Sequence, residues 1–92
     1  MTSTFCVAGS TNYQMIADGS LYGRVGLQVV TVYPVSIFIG TAAPSVDTED
    51  FVSMSPDGTR EIVVNLVSAD KVYMRTGKTT DVAIRGFRES RT

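Results

Sequence analysis

The 92-residue chain contains no histidine and no tryptophan, one cysteine, three prolines, and charged residues at only 18%. Each scarcity removes a class of function. Without histidine the commonest general acid–base group is missing. Serine–histidine and cysteine–histidine nucleophile systems cannot be assembled either. Zinc sites that combine imidazole with thiolate are excluded for the same reason. Cys6 has no second cysteine to pair with in the chain. Nothing basic lies beside it in sequence to lower its pKa, and between Phe5 and Val7 it reads as a small buried residue. The absence of tryptophan weakens a sugar-stacking site, although tyrosine remains to build one.

Charge is equally uninformative about a polyanion. The formal net charge is −1 and the eight basic residues are scattered, whereas a nucleic-acid binder needs a basic stripe to neutralise phosphates. Arg85, Arg88 and Arg91 come closest, are offset by Glu89, and read as a solvated tail. No apolar run approaches the ~20 residues of a membrane helix. Residues 1–6 lack the basic region and apolar core of a secretory signal. The expectation is synthesis in a cytoplasm, with neither nucleic acid nor membrane as partner.

Residues 1–92 are expected to form a single β domain, with 1–20 as an N-terminal arm or edge strands. A chain of this size buries roughly 60–65% of the surface its unfolded form exposes, so its core is thin. Disulfides, metals or self-association usually reinforce such a core. Here self-association is the device left open; no metal and no cofactor is expected.

What is present is alternation. Ile62, Val64 and Leu66 share one face of their run, with Glu61, Val63 and Asn65 on the other. Val72 and Met74 turn inward from Lys71, Tyr73 and Arg75, and Val82 and Ile84 repeat the device. Period two is the mark of a strand with one buried face. Strands are expected over 51–54, 60–66, 71–76 and 81–87, arranged as a meander. Ser55-Pro56-Asp57-Gly58 suits a type I turn, and 68–70 and 76–79 are polar breaks. Upstream, 24–33 and 35–39 flank Pro34, which marks a corner or an edge; 4–8 and 13–16 supply two further short candidates. The fold class is therefore all-β, a small antiparallel β-sandwich or barrel of about six or seven short strands.

Three patterns invite chemistry and do not sustain it. Gly77-Lys78-Thr79 resembles the end of a phosphate-binding loop, but Val72 stands where its first glycine belongs and a strand follows instead of a helix. Asp47, Glu49 and Asp50 gather oxygens in the longest loop without the glycine and glutamate of a calcium site. Cys6 lacks an activating neighbour. No catalytic residue is assigned, and no enzyme is expected.

The stronger signal is apolar surface. Val63, Phe38, Tyr73 and Phe87 face away from the residues that form the core. They make either an interface patch or a second face covered by the N-terminal segment or the other sheet. With Tyr33 added, these five are the candidate contact residues.

From about Gly26 to Glu89 the chain resembles the small β-sandwich decoration (cement) and head-fibre proteins of tailed bacteriophages. The resemblance lies in Pro34-Val35-Ser36-Ile37-Phe38-Ile39-Gly40, a loop with alanine, proline and acidic residues, then Arg60–Leu66. It closes with Ala69-Asp70-Lys71-Val72-Tyr73-Met74-Arg75, a polar turn and Asp81–Phe87. It implies a virion surface protein, multimeric and often trimeric, that sits on the major capsid protein and stiffens the head. It carries over no individual functional residue. Two other functions stand beside it: a tail-fibre or carbohydrate-binding module, and a small hydrolase working through Asp47, Glu49 and Asp50.

Overall fold

A computed structural model describes residues 2–29, 34–45, 47–55, 58, 61–76 and 83–91. Among them there is no helix. Eight strands appear: β1 (Thr2–Ala8), β2 (Gln14–Asp18), β3 (Tyr22–Val29), β4 (Val35–Gly40), β5 (Val52–Met54), β6 (Glu61–Asn65), β7 (Lys71–Thr76) and β8 (Ala83–Ser90). They form two four-stranded sheets, ordered β1-β8-β3-β6 (sheet A) and β2-β7-β4-β5 (sheet B). Every pairing is antiparallel.

The strand count exceeds the expected six or seven because both N-terminal candidates are paired in full. β1 runs along β8 and β2 along β7, each at the margin of its sheet.

The expected meander is not found. None of β5, β6, β7 and β8 neighbours the next in sequence; β7 lies between β2 and β4, and β8 between β1 and β3. Only the step from β4 to β5 stays within one sheet; every other step crosses to the opposite one. The pairs β4–β5, β3–β6, β2–β7 and β1–β8 are nested one outside the next. The chain behaves like one long hairpin, with β4 and β5 at its tip, wound into two layers. That winding of eight antiparallel strands is the jelly-roll arrangement.

Alternation determines what lies between the layers. Val25, Leu27, Val29 and Ile84 of sheet A meet Val35, Ile37, Met54, Val72 and Met74 of sheet B in one buried cluster. Each such side chain contributes about 1.5–3 kcal/mol on full burial, and β-branched residues suit the pleated surface. A register shift between Met15 and Ala17 lets Ile16 and Ala17 both enter the core, the usual effect of a bulge. Phe5, Val7, Tyr22, Ile62 and Val64 pack round the rim.

The polar break at 68–70 is a turn, as its residue types suggest. Gly58 N–H donates to Ser55 C=O at 3.2 Å; Pro56 and Asp57 between them lie outside the described residues. Asp70 N–H reaches Val67 C=O at 3.0 Å, and Val67 N–H bonds the Asp70 carboxylate at 3.1 Å. Asp18 C=O accepts from Leu21 N–H at 3.0 Å between β2 and β3.

The C-terminal arginines are not a solvated tail. β8 continues to Ser90, and period two carries Ile84, Gly86 and Arg88 to the inner side. The Arg88 guanidinium carbon sits 4.2 Å from the centre of the Phe5 ring and 5.6 Å from that of Tyr22, a desolvated cation–π contact. Arg91 donates from Nε to Gly19 C=O and from a terminal nitrogen to Leu66 C=O at 2.5 Å. Arg85, on β8, and Arg91, beyond it, are both exposed, and Arg88 is half-buried.

Candidate functional site

The five candidate contact residues do not gather on one side. Phe38 and Tyr73 face each other across β4 and β7 on the outer face of sheet B, while Val63 and Phe87 lie on the outer face of sheet A. Tyr33, like Val82 and Gly77-Lys78-Thr79, lies outside the described residues.

On sheet B the rings shelter one another. Tyr13 meets Phe38 edge-on at 6.3 Å between centroids, and Phe38 meets Tyr73 at 6.5 Å, spacings typical of favourable aromatic pairs. Tyr73 is left only 8% exposed. Its outward direction is as expected, but it is no free contact. Its neighbours across the sheet are Phe38 on one side and Met15 on the other.

Sheet A is different. Phe87, Gly26 and Val63 stand in one row across β8, β3 and β6. Gly26 has no side chain, and the Phe87 ring occupies the space a Cβ there would need. On the inner side, a Cβ at Gly86 would strike the Gly26 carbonyl and press on the Phe5 ring. Two glycines in neighbouring strands thus let their backbones approach closely, with an aromatic ring over each. The result is a groove of about 250 Å³, floored by Gly26 and Gly86 and walled by Phe87 and Val63. Val63 is 57% exposed.

The margins of the groove are polar. Gln28 Nε2 donates to Glu61 Oε1 at 3.1 Å at one end. Next to the groove wall, the Arg24 guanidinium lies 5.4 Å from the Phe87 ring centre and 3.7 Å from the Glu89 carboxylate. That half-exposed ion pair contributes ~1 kcal/mol at most. The groove therefore offers an apolar slot with one amide and compensated charges, suited to holding a flat or branched apolar group.

The remaining sequence candidates stay apart from it. Asp47, Glu49 and Asp50 are exposed in the loop between β4 and β5, which its own hydroxyls tie: Asp47 N–H bonds Ser45 Oγ and Asp50 N–H bonds Thr48 Oγ1, both at 3.2 Å. Among the described residues no three acidic, thiol or imidazole groups gather round a common point. Cys6 is exposed, not buried as expected. Phe5 and Val7 take the inner side of β1, which turns Cys6 outward with Thr4.

Sequence reasoning missed Gly26, Gly86, Gln28 and Glu61 as site residues. A signal existed: glycine inside a strand marks a bulge or a close approach of backbone or ligand, and Gly26 and Gly86 each interrupt a strong β run. Compared with protein-family models, curated proteins and solved structures, the chain matches none. Its function has to be sought in its own faces and margins.

Proposed function

We propose that this chain is a virion structural protein, a capsid decoration protein that seats the outer face of sheet A on a tailed-phage head and stabilises it. The observation that carries this is the Gly26–Gly86 groove between Phe87 and Val63. An apolar side chain projecting from a capsid surface fits such a slot, and a central aromatic anchor with a polar rim is how interfaces concentrate their energy. Jelly-roll winding is used by viral capsid and lectin domains, a support at the level of fold only. Adhesion of this kind asks for no cofactor and no reaction. Co-sedimentation with expanded heads of a tailed phage tests it. Phe87→Ala should weaken attachment at least about tenfold, the loss expected for an interface anchor. Failure of the wild-type chain to attach, or full retention by Phe87→Ala, removes the reading.

One observation favours a second reading, a carbohydrate-binding module. The Gln28–Glu61 pair lines the same groove as Phe87, and sugars are held by a ring face together with paired donors and acceptors. Saturable binding on a glycan array, abolished by Gln28→Ala, would replace the capsid reading with this one.

A further inference from the structure

Four strands lie at sheet margins: β1 and β6 in sheet A, β2 and β5 in sheet B. A margin strand presents unpaired N–H and C=O groups to any other chain, and folded proteins blunt it with charge, proline, a bulge or brevity. β5 has only three residues. β2 is interrupted by its bulge and ends in Asp18. β6 has five residues and opens with Glu61. β1 has none of these protections. Its seven residues, Thr-Ser-Thr-Phe-Cys-Val-Ala, carry no charge and no proline. They pair with β8 in unbroken register from Thr2 opposite Glu89 to Ala8 opposite Ala83. Among the described residues, one long, regular margin stands open.

The side chains agree. Phe5 and Val7 pack on the core from the inner face of β1, yet both remain only half-buried, with no strand beyond them among the described residues.

We propose that β1 pairs antiparallel with β1 of a second copy of this chain about a two-fold axis, joining two copies of sheet A into one eight-stranded sheet. Three features select a second copy as the occupant. An uncharged strand meets no like charge when it meets itself. A two-fold contact closes after two copies and leaves no further open margin at β1. The partner's β1 also places residues beside Phe5 and Val7, where burial is incomplete. Main-chain hydrogen bonds supply the affinity, as in strand addition generally. This inference does not depend on the capsid reading: it fails on the mass of the free protein, whereas that reading fails on attachment to heads.

Sedimentation equilibrium of the full chain, with amide hydrogen exchange on the same samples, tests it. The wild-type protein is expected to dimerise, and alternate amides of residues 2–8 to gain protection as concentration rises. Thr4→Lys, on the exposed outer face of β1, sets like charges across the axis and should weaken the dimer roughly tenfold or more. Val63→Lys, on the opposite margin strand, should leave the dimer intact. A wild-type monomer at every concentration overturns the proposal, as does an assembly of odd copy number. So does a dimer lost with Val63→Lys but kept with Thr4→Lys. The exchange measurement needs no variant: β1 amides that stay unprotected in the assembled protein overturn it equally.

Discussion

The ring of Phe87 on β8 fills the space above Gly26 on β3 that any other residue would claim for its own Cβ. The pair is therefore coupled in sign. Gly26→Ala alone must push the ring aside and should cost about 1–3 kcal/mol, the usual range for overpacking. In a Phe87→Ala background the obstacle is gone, and the same change should become neutral or stabilising by about 0.5 kcal/mol, because glycine loses more entropy on folding. Urea denaturation of the four proteins of this cycle measures the inversion. Additive losses would show that the ring does not rest on Gly26.

Gly86→Ala is expected to behave otherwise. Its Cβ would meet the backbone carbonyl of Gly26, which cannot rotate away as a side chain can. The two strands must separate, at a cost of about 3 kcal/mol or more. Truncating Phe5 should not rescue it. Recovery of wild-type stability in the double variant would contradict this.

Arg91 spans two turns, from the carbonyl of Gly19 to that of Leu66. Hydrogen bonds from a charged donor contribute about 1.5–3 kcal/mol when buried, and exposure of this residue lowers the expectation to about 1 kcal/mol. Arg91→Ala should speed amide exchange at Gly19 and Leu66 far more than at Met74 in the core. Arg91→Lys should not restore protection, since a single ammonium lacks the fork that reaches both carbonyls.

The carboxyl of Asp18 is held below its ordinary value, first by the backbone N–H of Ser20 and then by the Ser20 hydroxyl. Lys71 adds a weaker attraction against a small opposing effect of burial. The two Ser20 bonds measure 3.0 and 2.9 Å. A lowered folded-state pKa means that this turn's contribution is complete above the unfolded value of about 4. It is lost as pH falls through the lower folded value. Denaturation midpoints of wild type and Asp18→Asn should run parallel at neutral pH and converge in acid. A constant gap down to pH ~2 would show that Asp18 does not titrate in this way.

Much of the fold was legible because alternation is a local property. The inward set of Val35, Ile37, Ile62, Val64, Val72, Met74 and Ile84 could be read from period two alone, although Ile39, on the same face as Val35 and Ile37, is left 39% exposed near the strand end. Sheet membership could not be read. A turn signal says that the chain reverses, not whether it returns beside its last strand or crosses to the other layer, and here nearly every reversal crosses. Tyr73 shows a related gap: alternation gives the direction of a side chain but not what settles over it. Arg88 shows a third, since a charge at an inward position looks like the end of a strand until an aromatic ring is found beneath it. The groove was half visible. Phe87 and Val63 were picked for their outward parity, whereas Gly26 and Gly86 matter through the side chains they lack.

The nested pairing also dictates an order of events. β4 and β5 are the paired strands closest along the chain, so bringing them together costs the least closure entropy, whereas Thr2 and Glu89 must find each other across almost the whole polypeptide. Closure entropy rises with that distance, and chains dominated by remote pairings fold slowly. Assembly should start at the β4–β5 tip and zip outward, with β1 docking last. Substitutions near Ile37 and Met54 should then slow refolding, while those in β1 should mainly hasten unfolding. The reverse pattern in stopped-flow kinetics would place the nucleus elsewhere.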